Sequence, residues 1–263
     1  MNSLRRFLLA LQFFTRIPVS GELALWAGYS PARLRESVGH LPGVGWVIGM
    51  AGALVFGLAL TVLPGQAGAF AAALLCVIAT VWLTGALHED GLSDTVDGLG
   101  GTYDRKRALE VMHDSRIGAF GALAVVLALG LKVALLAVLA DEDPWGACVA
   151  VLVAQVLSRF APLLVMRSLP YVGGETARAK PMADATSLAS LWVGLAWSLP
   201  ALLIMAWMHE PAHALLALVL AGLATWRMVR RLARRLQGFT GDTLGATQQV
   251  CELALYLALA VRW

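Results

Sequence analysis

The chain has 263 residues, of which 59% are hydrophobic and 14% are charged. Water-soluble domains run about 45–50% apolar and about 25% charged, so an ordinary soluble globule is disfavoured, disorder is excluded, and a polytopic membrane protein is indicated. The formal charge of +3, from 20 Lys and Arg against 17 Asp and Glu, is too mild to point to nucleic acid.

In chain order, Leu4–Val19 comes first, with only a short apolar run between Arg6 and Arg16. It is too short to span, and no A-x-A-like cleavage site follows, so it reads as an interfacial or half-inserted helix rather than a cleaved signal. Seven candidate spans follow: Leu41–Leu63, Ala67–Leu87, Gly118–Ala140, Trp145–Met166, Ser187–Met208, Pro211–Val229 and Leu244–Val261. The expected fold is therefore all-α, a membrane helical bundle of about seven transmembrane helices, with 1–263 as one integral membrane domain. Gly45-x-x-x-Gly49 in the first span predicts close helix packing. Cys76, Cys148 and Cys251 each lie in an apolar stretch and form no CxxC, which fits neither a disulfide frame nor a zinc site.

Short and long linkers alternate. The short ones, 64–66, 141–144 and 209–210, contain no Lys or Arg. The N-terminal region through Arg35 holds five, linker 88–117 four, linker 167–186 three and Arg227–Arg235 five, which accounts for 17 of the 20. The positive-inside rule then places the N-terminus and every long linker in the cytoplasm and the C-terminus outside. The remaining cations are Lys132, Arg159 and Arg262. Lys132 is expected to be structural; Arg159, near the cytoplasmic end of its span, either snorkels or reaches a site.

The informative segment is His88-Glu89-Asp90-Gly91-Leu92-Ser93-Asp94-Thr95-Val96-Asp97-Gly98-Leu99-Gly100-Gly101. On a helix, Asp90, Asp94 and Asp97 share one face. Like charges stacked in this way repel, and near a membrane they are costly to desolvate. A divalent cation offsets both costs, and hard oxygen ligands suit Mg2+ or Mn2+ better than zinc. Gly91 and Gly98 are poor helix formers and suggest close approach of a substrate to the backbone. Downstream, Arg105–His113 reads as a short amphipathic helix with Leu109 and Met112 on its apolar side. Asp114 and Arg116 sit at the mouth of the third span, and Arg116 is a candidate phosphate clamp.

Further candidates are His88, the basic turn containing Arg178 and Lys180, Asp242 before the last span, and Glu252 within it. A structural alternative for Asp242 is helix capping. An intramembrane carboxylate such as Glu252 is a functional hypothesis in itself. Carboxylates grouped for a metal, with basic residues and glycine-rich turns on one face, fit phosphoryl transfer. No P-loop, HExxH or G-x-S-x-G is present. Asp94-x-x-Asp97-Gly98 matches the start of the CDP-alcohol phosphotransferase signature, but Leu99-Gly100-Gly101 replaces its Ala-Arg.

The chain as a whole resembles the cobalamin synthase family. The resemblance is carried by Phe14-Thr15-Arg16-Ile17-Pro18, Leu41-Pro42-Gly43-Val44-Gly45, the acidic segment His88–Gly101, Asp114-Ser115-Arg116-Ile117-Gly118 and Gly241-Asp242-Thr243-Leu244-Gly245-Ala246. It implies an inner-membrane, Mg2+-dependent enzyme. A ribose hydroxyl of α-ribazole, or of its 5′-phosphate, attacks the cobinamide-side phosphorus of adenosylcobinamide-GDP and GMP leaves. On this reading Asp90, Asp94 and Asp97 hold Mg2+, and Asp94, Asp97 or Asp114 is the base. Arg116 with Arg178 or Lys180 holds phosphate, while Asp242, Glu252 and His88 complete the pocket. The implied partners are the two substrates and membrane lipid, with room for self-association and for docking of other cobalamin-assembly enzymes. The competing readings are a CDP-alcohol phosphotransferase-like lipid enzyme and a cation-coupled transporter.

Overall fold

Pro at the first turn of several segments, glycine or a polar cap at their ends and long apolar interiors favour helix throughout. A computed structural model describes residues 2–174 and 186–261. Its helices are α1 (Asn2–Phe14), α2 (Gly21–Ala27), α3 (Pro31–Ser37), α4 (Leu41–Val62), α5 (Gly65–Thr84), α6 (Leu87–Gly101), α7 (Arg105–Met112), α8 (Ala119–Glu142), α9 (Pro144–Leu157), α10 (Ala161–Ser168), α11 (Leu188–Met208), α12 (Pro211–Arg235) and α13 (Gly241–Leu259). The described residues contain no β-strand beyond an isolated bridge between Tyr171 and Phe239.

Six stretches have the length and apolarity to cross a membrane: Pro31–Val62, Gly65–Thr84, Ala119–Glu142, Pro144–Ser168, Leu188–Met208 and Pro211–Arg235. They correspond to the first six expected spans. The fourth is broken by a 3-10 turn at Ser158–Phe160 between α9 and α10. The seventh expected span is α13, which is helical but buries Thr243, Thr247, Gln248, Gln249 and Glu252 against the protein, so its composition is that of a polar core helix. Large apolar side chains on the outer faces of α5, α8, α11 and α12, among them Phe70, Leu127, Trp207 and Leu215, are exposed as a lipid-facing surface requires. The apolar start of the chain forms α1, whose Ala10 and Leu11 pack on Val44 and Ile48 of α4. Two further short helices, α2 and α3, follow before α4.

One core joins α4, α5, α8, α9, α11, α12 and α13. A second lies where the C-terminal parts of α6 and α12 meet α7 and α10. The α4–α9 contact in the first core depends on Gly45 and Gly49. A Cβ on Gly45 would lie 2.4 Å from the Gln155 carbonyl oxygen, and one on Gly49 would lie 3.0 Å from the Leu152 Cα.

At the other end, the N-terminus and the long linkers converge. The Arg105 Nε donates to the Leu236 carbonyl at 2.7 Å, and Arg235 donates to the carbonyls of Leu99 and Thr102 while lying over the Tyr103 ring. These two arginines satisfy carbonyls at the ends of α12 and α6, which their own helices leave unpaired. Val172 N–H donates to the Phe239 carbonyl, and Phe239 N–H to the Pro170 carbonyl, both at 2.9 Å, which ties the chain after α10 to the chain before α13.

Replacing Gly45 with Leu forces side-chain atoms into the α9 backbone and is expected to cost about 1–3 kcal/mol. Gly130→Ala in α8 meets no atom within 4 Å and is expected to be neutral or slightly stabilising. Thermal unfolding of the two variants in one detergent checks the contrast.

Candidate functional site

Asp90, Asp94 and Asp97 all lie on α6, so the spacing argument holds in three dimensions. Helix α6 leaves α5 through two left-handed residues, Gly85 and Ala86, at φ 66° and 60°. It then crosses α13 in antiparallel fashion. A Cβ on Gly91 would lie 2.6 Å from the Asp242 carbonyl oxygen, and one on Gly245 would lie 3.2 Å from the Cα of His88. A Cβ on Gly98 would be 2.8 Å from the Ala108 carbonyl oxygen of α7. Gly91 and Gly98 are therefore spent on helix contacts rather than on a substrate. Their absent side chains bring the acidic face of α6 against the start of α13.

The three aspartates have different surroundings. Asp97 is buried, and its two oxygens accept the N–H groups of Gly118 and Gly121, each at 2.8 Å. It holds the N-terminus of α8 from outside that helix, where the exposed amides and the helix dipole both favour a carboxylate. Asp94 is half-buried and Asp90 exposed. Burial pushes the Asp94 carboxyl up from 3.8 to about 7, with further contributions from the negative charges of Asp90, Asp242 and Asp97, while His113 opposes the rise. Burial also raises Asp242. Asp242 does not cap α13. Thr240 does, by exchanging side-chain-to-backbone bonds with Thr243, and the Thr240 hydroxyl also donates to Asp242 at 3.2 Å. The Asp242 carboxylate is thereby left facing the acids of α6.

Asp90 and Asp242 border a cavity of about 700 Å³, whereas Asp94 and Asp97 lie on α6 outside its lining. Among its polar and charged lining residues are Asp90, Asp242, His113, His88, Gln248 and Arg159, from α6, the end of α7, α13 and the turn after α9. Phe13, Phe14, Leu41 and Met166 supply apolar wall. His113, which shows no pairing pattern in the sequence, enters because it ends α7, where its Nδ1 lies 2.6 Å from the Leu109 carbonyl oxygen. Its only sequence signal is its place one residue before Asp114.

Not every expected residue is at the cavity. Arg116 binds Asp114 through the Nη2–Oδ2 contact of 2.6 Å and through Nε, and 87% of its side chain is exposed. Those hydrogen bonds hold the Asp114 carboxyl down to about 2, which makes it a poor proton acceptor near neutral pH. Glu252 does not line the cavity but lies behind it. Lys132 Nζ pairs with it at 3.1 Å, and Gln155 and Gln248 donate to it at 2.7 and 2.9 Å. Lys132 thus has the structural role expected of it. Arg178 and Lys180 lie outside the described residues.

Among the described residues no three His, Cys, Asp or Glu side chains are gathered at metal-ligand spacing. The donor set nevertheless suits Mg2+, which keeps several waters and takes only one or two carboxylates alongside substrate phosphates. The charge of the neighbouring carboxylates, which helps to raise Asp94, is what such a cation would relieve.

The raised Asp94 sets a stability window. Below pH 3.8 it is protonated whether the chain is folded or unfolded. Between 3.8 and about 7 the unfolded chain releases the proton and the folded chain keeps it, so folding stability contributed by this group is lost as pH rises through that range. In chelator, the stability of wild type relative to Asp94→Asn is expected to fall across this window and then level off. Thermal unfolding of both proteins against pH measures it.

Comparison with known proteins assigns the chain to a family. A family profile described as Cobalamin-5-phosphate synthase matches residues 6–260. The chain is 49% identical to a protein of Polaromonas naphthalenivorans over 99% of both chains. It is 51% identical to one of Albidiferax ferrireducens over 98% of each, and 46% identical to one of Leptothrix cholodnii over 100% of this chain and 98% of the other. All three relatives are named adenosylcobinamide-GDP ribazoletransferase. No solved structure matches. The match over nearly the whole chain, and identities near one half, show that this chain belongs to the cobalamin-5-phosphate synthase family of membrane enzymes.

Proposed function

We propose that this chain joins adenosylcobinamide-GDP to α-ribazole or its 5′-phosphate. A ribose hydroxyl oxygen bonds to the cobinamide-side phosphorus, the bond from that phosphorus to the GMP oxygen breaks, and adenosylcobalamin or its 5′-phosphate forms. The observation that carries the reading is the meeting of Asp90 and Asp242 in the wall of one cavity, with Asp94 half-buried beside them on α6. Asp94, half-buried beside those acids, is the proposed base for the attacking hydroxyl, on the ground of its position.

Asp90 and Asp94, with Asp242 opposite, are the proposed holders of Mg2+. When bound, that ion would neutralise the diphosphate and stabilise the departing GMP. Asp97, expected from its spacing to be a third ligand or a base, is proposed to set the angle of α8 against α6, because both its oxygens are taken by backbone amides. His88 is proposed to shape the cavity wall. Glu252 is proposed to keep that wall ordered through Gln155 and Gln248. Arg116, displayed on the surface by Asp114, and Arg178 and Lys180, on sequence grounds alone, are proposed to meet the donor's phosphates.

The site is proposed to face the cytoplasm from the inner membrane. What supports this is the charge bias of the linkers together with their convergence around the cavity.

The test is GMP release by detergent-purified protein given adenosylcobinamide-GDP, α-ribazole 5′-phosphate and Mg2+, with and without EDTA. Release is expected only with both substrates and metal. Asp94→Asn is expected to lower it by about 10²-fold or more while the protein still unfolds cooperatively. Release unaffected by EDTA or by Asp94→Asn would overturn the metal and base assignments. CMP release from a CDP-alcohol, with none of GMP, would overturn the reaction.

A further inference from the structure

Arg159 is a buried guanidinium with an unmet donor in the wall of a cavity. It is 2% exposed. Its Nη1 donates to the Gln155 carbonyl oxygen at 2.8 Å and to the Gln155 side-chain oxygen, and its Nε has no hydrogen-bond partner. Two acids lie near it without a direct ion pair: Glu252 is paired with Lys132, and Glu89 accepts from the Gln249 amide at 2.8 Å through one oxygen while its other has no hydrogen-bond partner. A buried arginine without a direct anionic partner is costly, and its forked donors match phosphate oxygens.

The cavity places this group apart from the acids. Ser158, next to Arg159, accepts from Gln248 at 2.9 Å, which fixes Arg159 at the level of Gln248 on α13. Gln248 is six residues beyond Asp242, about 9 Å along the helix axis at about 1.5 Å per residue. One cavity therefore has a carboxylate part and a guanidinium part, joined by apolar wall that includes Phe13, Phe14 and Met166. Its volume of about 700 Å³ is in the range for a ligand of drug or nucleotide size. A corrinoid carrying a nucleotide diphosphate is much larger than that, whereas an aromatic nucleoside monophosphate matches both the volume and the lining.

We propose, resting on the transferase reading above, that this cavity is the acceptor's site and that Arg159 receives the acceptor's 5′-phosphate monoester. The base packs on the apolar wall and the ribose hydroxyl is directed toward the acids where α6 crosses α13. The donor's diphosphate stays at the acidic rim. Arg159 is thus a specificity residue for the phosphorylated acceptor, and no bond to it is made or broken.

The test is equilibrium binding of α-ribazole 5′-phosphate and of free α-ribazole to the detergent-purified full chain without donor, followed by kcat/KM for each acceptor. Wild type is expected to prefer the phosphorylated form by about 10- to 100-fold, the range for a hydrogen bond to a charged group. Arg159→Gln is expected to erase that preference while changing affinity for free α-ribazole by less than about threefold. Arg159→Lys, which keeps the charge but loses the fork, is expected to retain part of it.

Equal loss for both acceptors would mean that Arg159 only supports the fold and would overturn the proposal. So would absence of preference in wild type, or loss of GDP binding with acceptor binding intact. Should Arg159→Gln fail to fold, the Lys variant and competition on wild type by ribose 5-phosphate decide: competition against the acceptor alone is expected, and none would overturn it. Failure of the transferase reading is separate, because it appears as no GMP release by wild type with either acceptor while the binding comparison still reads Arg159.

Discussion

Where α6 crosses α13, backbone lies on backbone: Gly91 faces Asp242, and Gly245 faces His88. A β-carbon at either glycine would push the helices apart. The separation between Asp90 and Asp94 on one helix and Asp242 on the other depends on this contact, and so does the rise of the Asp94 carboxyl toward neutrality. The surrounding structure holds the crossing from several sides. Asp97 anchors the far end of α6 to the first amides of α8, and Arg235 caps its last carbonyls from α12. The Thr240–Thr243 capping box starts α13 at the right residue.

Behind the crossing, the interior carries charge. Lys132, Arg159, Glu89 and Glu252 are all buried, and Gln155, Gln248 and Gln249 link them. Two cations and two anions balance formally, yet their partners are unequal: Lys132 touches Glu252 directly, whereas Arg159 is hydrogen-bonded to that carboxylate through Gln155. Buried charges persist only when paired or well hydrogen-bonded. The glutamines give α13 its polar face, and that face is directed into the bundle, which explains why this helix lies outside the set apolar enough to span a membrane by composition.

The rest of the molecule serves as a frame in a low-dielectric setting. Small residues let α4 pack closely on α9, and the outward faces of α5, α8, α11 and α12 remain apolar. The buried charged and amide side chains gather between α6, α8, α9 and α13 and at the end where the linkers meet. This arrangement buries charge inside the bundle without exposing it on the apolar outer faces.

Much of this was legible in the residues themselves. Helix class and the approximate spans follow from apolar runs longer than a bilayer is thick, because backbone in lipid must pair internally. The acidic face of α6 follows from helical period, and the short helix α7 from amphipathic spacing. Family membership follows from motifs spread along the chain. The partners of each charge were not legible, since they come from helices far apart in sequence. That Asp97 caps α8, that Thr240 rather than Asp242 caps α13, that Glu252 pairs with Lys132 behind the cavity, and that His113 enters the site are outcomes of packing. The sequence by itself determined which residues are polar and how deep in each helix they lie. Only the tertiary structure decided which of them face one another, because helix rotation and crossing are set by glycine contacts between segments and not by the periodicity of any one of them.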